Sequence, residues 1–238
     1  GTFRLNGPDG SPLLEQTSLD FSDGFCRASF AAEKDEDWVG FGDVSRTEIF
    51  RRGHTARCWL SNVKAYIAVP FFMSTRGYAV LVNSTYRSDF DMCAGKPDRF
   101  SFTDRGVIFD LYLFTAPDVK RLLGLYTLLT GRPQMPPVWS FGLWHICNNV
   151  ENSRDTVESA YRYRELGIPC DVIGLEPGWM SQNYDYSTEK QWSPERFPLM
   201  LKSFQHRNRT FIDALKSGMG FHFELWLCCD YDLTYEED

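Results

Sequence analysis

The chain has 238 residues and a formal charge of −7, from 25 basic and 32 acidic side chains. This acidic balance argues against nucleic acid or an anionic membrane surface as a partner, and no apolar run reaches the roughly 18 residues of a membrane-spanning helix. Apolar residues make up 43% and aromatic residues 16% of the chain. Such a composition fits either large aromatic cores or surfaces that stack on sugar rings.

The cysteines and histidines form no recognisable metal motif. No C-x-x-C pair occurs, so we expect buried thiols, no zinc site and no other cofactor, and buried thiols favour a cytoplasmic protein. The histidines are scattered, and we expect each of them to be structural. These residues are Cys26, Cys58, Cys93, Cys147, Cys170, Cys228 and Cys229, and His54, His145, His206 and His222.

Residues 1–116 predict an antiparallel β-sandwich. Short runs of aromatic and β-branched residues are separated by turn residues about every ten positions, which is the spacing typical of such domains. The runs cover residues 25–30, 65–69, 78–82, 100–103 and 107–114.

Residues 117–137 predict a connection between two domains. Pro117 and Asp118 are typical of a helix start and Gly131 of a helix end, so we expect a helix over 117–131. The stiff segment RPQMPP at 132–137 then suits a domain boundary.

Residues 138–238 alternate between apolar strands and amphipathic helices. The predicted strands cover 139–146, 170–176 and 221–229. Between them we expect one helix with a capping box of Asp155 and Glu158, and a second helix over 208–217. This order implies parallel strands, either in a doubly wound sheet or as the first three strands of a (β/α)₈ barrel. A barrel needs about 250 residues, so on that interpretation it is incomplete here.

Acidic residues follow two of the predicted strands. Glu176 and Asp230 lie at strand ends, where parallel α/β folds place their active sites. From chemistry alone they are candidates for an acid/base pair, as in an isomerase or aldolase. The alternative is one sugar-binding carboxylate with a structurally paired neighbour. The segment 177–206 after Glu176 is long and rich in aromatics, which favours a functional loop over a plain surface loop.

Several segments resemble one enzyme family. RPQMPPVWSFGLW (132–144) is similar to the "G-x-P-x-L-P-P-x-W-x-x-G" entry into the barrel of glycoside hydrolase family 31. RYRELGIPCDVIGLEPGWM (162–180) resembles its following helix and second strand, and WLSNVKAYIAVPF (59–71) its "W-N-x-D … Y-x-x-x-P-F" segment. Because these segments occur in the family's order, a chance match is improbable.

The resemblance implies a β-sandwich followed by a (β/α)₈ barrel, and a retaining α-glycosidase. Retaining enzymes use two carboxyl groups about 5–5.5 Å apart. In the family the nucleophile follows the fourth barrel strand in a "W-x-D-M-N-E"-like motif, and the acid/base follows the sixth. No such motif occurs in this chain, so we expect no catalytic residue in it and no activity from it alone. The resemblance therefore argues against Glu176 and Asp230 as the catalytic pair.

The resemblance also implies substrate contacts. Glu176 takes the place of a sugar-binding Asp after strand two, and Asn62 that of an Asp from a loop of the sandwich. Trp179 would form a wall of the sugar site, and Asp230 is a further expected contact. Glu176 and Asn62 each stand where the family has an Asp. These two differences suggest that glucose is not the preferred sugar, and they favour a galacto-configured or N-acetylated sugar. The expected partner is an oligosaccharide or glycoside, with oligomerisation left open. The competing interpretation is a carbohydrate-binding or scaffold protein without catalysis.

Overall fold

The computed structural model describes residues 1–44, 47–60, 65–147, 151–182, 190–198 and 209–226. These residues divide into two compact units, the first spanning Gly1–Pro133 and the second beginning at Gln134. Among the described residues, no helix has both the length and the apolar character needed to cross a membrane.

The first unit is built from two antiparallel sheets. Its ten strands are β1 (Arg4–Asn6), β2 (Pro12–Ser22), β3 (Phe25–Ala31), β4 (Trp38–Gly42), β5 (His54–Cys58), β6 (Ala68–Ser74), β7 (Tyr78–Val82), β8 (Ser88–Met92), β9 (Arg99–Asp104) and β10 (Leu111–Thr115). The larger sheet has the order β1-β2-β3-β9-β8-β5, and the smaller one β10-β7-β6-β4. The predicted sandwich is thereby confirmed.

Aromatic side chains from both sheets form the core of this unit. In β3 and β9 every second residue is buried, as expected for strands with one face on a core. Phe30 and Phe100 are paired across these strands, and their rings stack at 5.0 Å. Phe72 of the smaller sheet meets Phe100 edge to face at 5.7 Å. The high aromatic content is therefore largely used in packing.

The smaller sheet is buried on both faces because helix α1 (Val119–Thr130) covers its outer side. Leu122 of α1 is fully buried in a cluster with β6 and β7, and Tyr126 stacks on Phe71 at 4.0 Å. The side chain of Asp118 caps the helix by accepting a hydrogen bond from the amide of Arg121. The predicted helix is therefore packed on the sandwich.

A buried polar network lies inside the sandwich. One carboxylate oxygen of Glu36 accepts hydrogen bonds from the hydroxyls of Ser74 at 2.6 Å and Tyr78 at 2.5 Å. The Tyr78 hydroxyl in turn accepts a bond from the indole of Trp38 at 3.1 Å. Burial, and then the charge of Glu36, raise the pKa of Tyr78 well above its ordinary value, which keeps the phenol neutral.

The second unit contains a parallel sheet. Its elements are β11 (Trp144–Cys147), α2 (Ser153–Glu165), β12 (Val172–Leu175), α3 (Arg209–Asp213), which continues as a π-helical segment (Ala214–Gly218), and β13 (His222–Leu225). The sheet order is β11-β12-β13, with both pairs parallel, which confirms the predicted order of strands.

Some predicted boundaries are wrong. The run 139–146 begins with a 3₁₀ helix (Val138–Phe141), and only Trp144–Cys147 is a strand. Helix α2 begins earlier than predicted, because the side chain of Asn152 accepts hydrogen bonds from the amides of Arg154 and Asp155. The capping box is thus Asn152 with Asp155, because a cap is defined by which side chain reaches the free amides.

The run 107–114 is also irregular in its first half, and the strand is Leu111–Thr115. Val107 and Ile108 are 66% and 71% exposed, so their β-branched side chains do not mark a buried strand. The expectation of buried thiols is confirmed for the five described cysteines, which are all free and buried, whereas Cys228 and Cys229 lie outside the described residues.

Candidate functional site at the strand ends of the parallel sheet

The carboxyl ends of β11, β12 and β13 lie at one edge of the sheet. Cys147, Leu175 and Leu225 are in register as the last residues of the three strands. Glu176 follows β12 directly in an extended conformation and then precedes a 3₁₀ turn (Pro177–Trp179). The structure therefore places Glu176 at the edge where parallel α/β folds place their sites.

The two faces of this sheet differ in character. Ile173 and Leu175 are buried in the cluster that also holds the residues of α2 and α3. On the opposite face, Ile146, Gly174 and Glu224 form one row across the three strands. A Cβ atom at position 174 would approach Oε2 of Glu224 to 2.5 Å, so the carboxylate lies directly over Gly174. The missing side chain at position 174 makes room for this acid.

Glu176 shares this face with Glu224, because side chains alternate along a strand and position 176 follows Gly174 by two. Burial raises the pKa of Glu176. Burial, and then repulsion by Glu176, raise the pKa of Glu224. The charge of Glu176 thus acts on the carboxyl group of Glu224, a residue that was not among the predicted site residues. A charged residue inside the apolar run FHFELWL (221–227) is the signal in the sequence that could have identified Glu224.

The carboxylates of Glu176 and Glu224 accept no hydrogen bond and form no ion pair within the described part of the chain. An ionised carboxylate is an acceptor with about four lone-pair positions. The arrangement can therefore receive several hydroxyl donors, which is the chemistry of sugar recognition. Among the residues that the structure describes, no histidine, hydroxyl or thiol forms a hydrogen bond with these two acids, so nothing there suggests acyl transfer.

Trp179 is a core residue. Its side chain is only 1% exposed, and its ring lies 4.8 Å from that of Trp192. The indole nitrogen donates a hydrogen bond to the carbonyl of Trp226, just after β13, at 2.8 Å. A guanidinium nitrogen of Arg196 donates to the carbonyl of Gly178 at 2.9 Å. These contacts hold the turn after Glu176, and they leave little of the indole surface for stacking on a sugar.

The structure brings together only part of the predicted site. Glu176 and Trp179 are three residues apart in one turn. Asn62 and Asp230 lie outside the described residues, so their expected roles stay predictions.

Comparison with known proteins gives the family. Residues 8–91 match the glycosyl hydrolase 31 N-terminal galactose mutarotase-like domain. Residues 133–229 match the glycosyl hydrolases family 31 TIM-barrel domain. The two matches do not overlap, and they follow the order sandwich, then barrel.

Individual proteins agree with this result. The chain is 30% identical to alpha-xylosidase XylQ of Lactiplantibacillus pentosus over 181 residues, which is 73% of this chain and 23% of that protein. It is also 30% identical to an isomaltosyltransferase of Sporosarcina globispora, over 66% of this chain and 15% of that protein. The chain thus spans less than a quarter of the length of either relative.

Solved structures show the same fold. A family 31 dextranase from Flavobacterium johnsoniae, complexed with isomaltotriose, has a TM-score of 0.79 at 24% identity, over 94% of this chain and 27% of the dextranase. A family 31 alpha-xylosidase from a soil metagenome, complexed with xylose, has a TM-score of 0.77 at 20% identity, over 94% of this chain and 35% of that enzyme. With its sandwich and the first parallel strands of the barrel in the family's order, the chain belongs to glycoside hydrolase family 31.

Proposed function

We propose that the protein containing this chain is a retaining glycosidase that hydrolyses α-linked sugars at the non-reducing end. Membership of the family and the names of the relatives, an alpha-xylosidase and an isomaltosyltransferase among them, support an activity on α-glycosides. The observation on which the proposal rests is the position of Glu176, at the carboxyl end of a parallel strand with its carboxylate unpaired among the described residues.

In this proposal Glu176 binds sugar hydroxyls and does not attack the anomeric carbon. A carboxylate that accepts a hydroxyl contributes about 1.5–3 kcal/mol, as is usual for hydrogen bonds to charged groups. Asn62 and Asp230 are proposed as further substrate contacts. Trp179 acts indirectly, because it is buried and anchors the turn that follows Glu176.

The nucleophile and the acid/base are proposed to lie outside these 238 residues, because the sequence contains no "W-x-D-M-N-E"-like motif. Retention requires two carboxyl groups about 5–5.5 Å apart on either side of the scissile bond. The 238-residue chain by itself is therefore expected to be inactive. The effect of Glu176 on the pKa of Glu224 does not alter this assignment, because both residues precede the family's catalytic strands.

The preferred sugar is proposed to be galacto-configured or N-acetylated. Glu176 is one methylene longer than the Asp expected at its position, and Asn62 lacks the charge of the Asp expected at its own. A pocket built to hydrogen-bond particular hydroxyls discriminates strongly against misplaced ones. Two departures in one pocket therefore favour a sugar other than glucose.

The test is an assay of the full-length protein on p-nitrophenyl α-glycosides of glucose, xylose, galactose and N-acetylated sugars. We expect the highest kcat/KM on the α-galactoside or an N-acetylated α-glycoside. Glu176→Asp should shift the ratio of kcat/KM values toward the α-glucoside. Best turnover of the α-glucoside by the wild type would contradict the proposed specificity.

The role of Glu176 is tested with Glu176→Gln, using Glu158→Gln on the exposed side of α2 as the matched control. Loss of the charged hydrogen bond should lower kcat/KM by about 10- to 100-fold, mainly through KM, whereas the control should match the wild type. Complete loss of chemistry would instead assign Glu176 to catalysis, as in a different barrel enzyme. Glycoside binding without turnover in the wild-type protein would support the carbohydrate-binding alternative.

A further inference from the structure

Three metal-ligating side chains meet between β11 and α2. His145 and Cys147 are two residues apart on β11, so they point to the same face of the sheet. Glu151 lies just before α2. A ring nitrogen of His145, the sulfur of Cys147 and a carboxylate oxygen of Glu151 all lie within 4.8 Å of one another. This face carries the helices, opposite the face of Glu224.

Two polar atoms of this group are buried without a partner. Nε2 of His145 and Oε2 of Glu151 have no hydrogen bond among the residues that the structure describes. A buried polar atom left unsatisfied costs about 1–3 kcal/mol, and such atoms are few in native proteins. Two such atoms in one cluster of possible ligands are the pattern expected of a binding site.

One nitrogen of the His145 ring is engaged by a neighbouring side chain. The hydroxyl of Tyr163 on α2 is hydrogen-bonded to Nδ1 of His145 at 3.2 Å. Metal-ligating histidines almost always have their second nitrogen engaged in this way, which sets the ring orientation. Nε2 is then the nitrogen that remains to bind a metal. Cys147 is 1% exposed, so the site is shielded from bulk water on the sulfur side.

We propose that His145, Cys147 and Glu151 bind a divalent transition-metal ion of the zinc class. Sulfur and imidazole ligands favour zinc and its neighbours, whereas magnesium and calcium favour oxygen ligands. Ligand atoms around tetrahedral zinc lie roughly 3.5 Å apart at bond lengths of 2.0–2.3 Å, so ligand atoms that lie within 4.8 Å of one another have to close by at most about 1.3 Å. Three protein ligands leave the fourth position for water.

Binding replaces a proton by the metal. A zinc-class ion deprotonates a thiol that coordinates it. The sulfur–metal bond thus forms as the thiol proton leaves to solvent. Because the ligands join β11 to the start of α2 on the face away from Glu176, the ion is structural and takes no part in sugar binding.

The test uses the full-length protein, stripped of metal with a chelator and titrated with Co²⁺ as a spectroscopic probe. We expect saturation at one equivalent with a sulfur-to-cobalt charge-transfer band. Cys147→Ser should abolish this band, whereas Cys170→Ser, at another buried cysteine of the same unit, should retain it. Absence of the band in the wild type, or its persistence in Cys147→Ser, would overturn the proposal.

Metal affinity gives a second measurement that does not depend on the folding of Cys147→Ser. Zn²⁺ affinity is measured by competition with a chromophoric chelator. Tyr163→Phe should weaken it by about 10- to 100-fold, as for other outer partners of ligating histidines, while the Co²⁺ band remains. His145→Gln and Glu151→Gln should weaken it at least as much. Unchanged affinity in both ligand variants would also overturn the proposal, whatever the outcome for sugar hydrolysis.

Discussion

Replacing Trp179 by Phe tests whether this indole anchors the turn after Glu176 or forms a sugar-facing wall. The change removes the donor to the Trp226 carbonyl, a 2.8 Å hydrogen bond in a buried environment. Trp192→Phe is the matched control. That ring packs against Trp179 and is 3% exposed, but its buried indole nitrogen has no partner among the described residues. The two variants lose the same atoms, so their packing losses largely cancel.

The hydrogen bond of Trp179 then decides how much more Trp179→Phe lowers the free energy of unfolding than Trp192→Phe does. Both variants should lose about 1–2 kcal/mol from ring contacts. Trp179→Phe should lose a further 1–3 kcal/mol, roughly, because a bond is broken and a carbonyl loses its donor. Such a difference in the free energy of unfolding corresponds to roughly 2–12 °C in Tm for a domain of 150–250 residues. We would measure urea and thermal unfolding of the full-length protein by far-UV circular dichroism, since the substitutions themselves alter tryptophan fluorescence.

A result in which Trp192→Phe is as destabilising as Trp179→Phe would refute this reasoning. If Trp179→Phe kept wild-type stability and lost affinity for the glycoside, the indole would instead be a wall of the sugar site. The proposed anchoring role requires the stability loss to appear in the absence of any sugar.

Two further predictions concern buried polar groups. Tyr78→Phe should lower the free energy of unfolding by about 1–3 kcal/mol, because Glu36 loses a hydroxyl donor inside the sandwich; a urea midpoint equal to that of the wild type would contradict this. Glu224→Gln should stabilise the protein at neutral pH. Burial and the charge of Glu176 raise the folded-state pKa of Glu224 above its ordinary value of 4.5. The folded state therefore favours the protonated carboxyl group, and the stability of the wild type falls as the pH rises from 4.5 through the folded-state pKa. The stability difference between variant and wild type should therefore be larger at pH 7 than at pH 4 in urea unfolding, and a pH-independent difference would argue against it.

Much of the architecture could be predicted because burial leaves a local pattern in the sequence. Alternation of aromatic residues in β3 and β9 reports one buried face, and it predicted the sandwich. The order of strands and helices after residue 138 predicted parallel pairing, and its position at a strand end made Glu176 a candidate site residue. Boundaries were less predictable, because the cap at Asn152 depends on which side chain reaches the free amides of α2.

What the sequence by itself determined is the kind of element, the order of elements and the family. Only the tertiary structure decided which distant side chains meet. It placed Trp179 in the core, set Glu224 over Gly174 and brought Tyr163 to His145 across 18 residues. Periodicity records whether a residue faces a core, but it carries no information about which residue of another element lies opposite. That choice is made by strand register and by the packing of α2 on the sheet, which involve contacts between parts of the chain that are far apart in sequence.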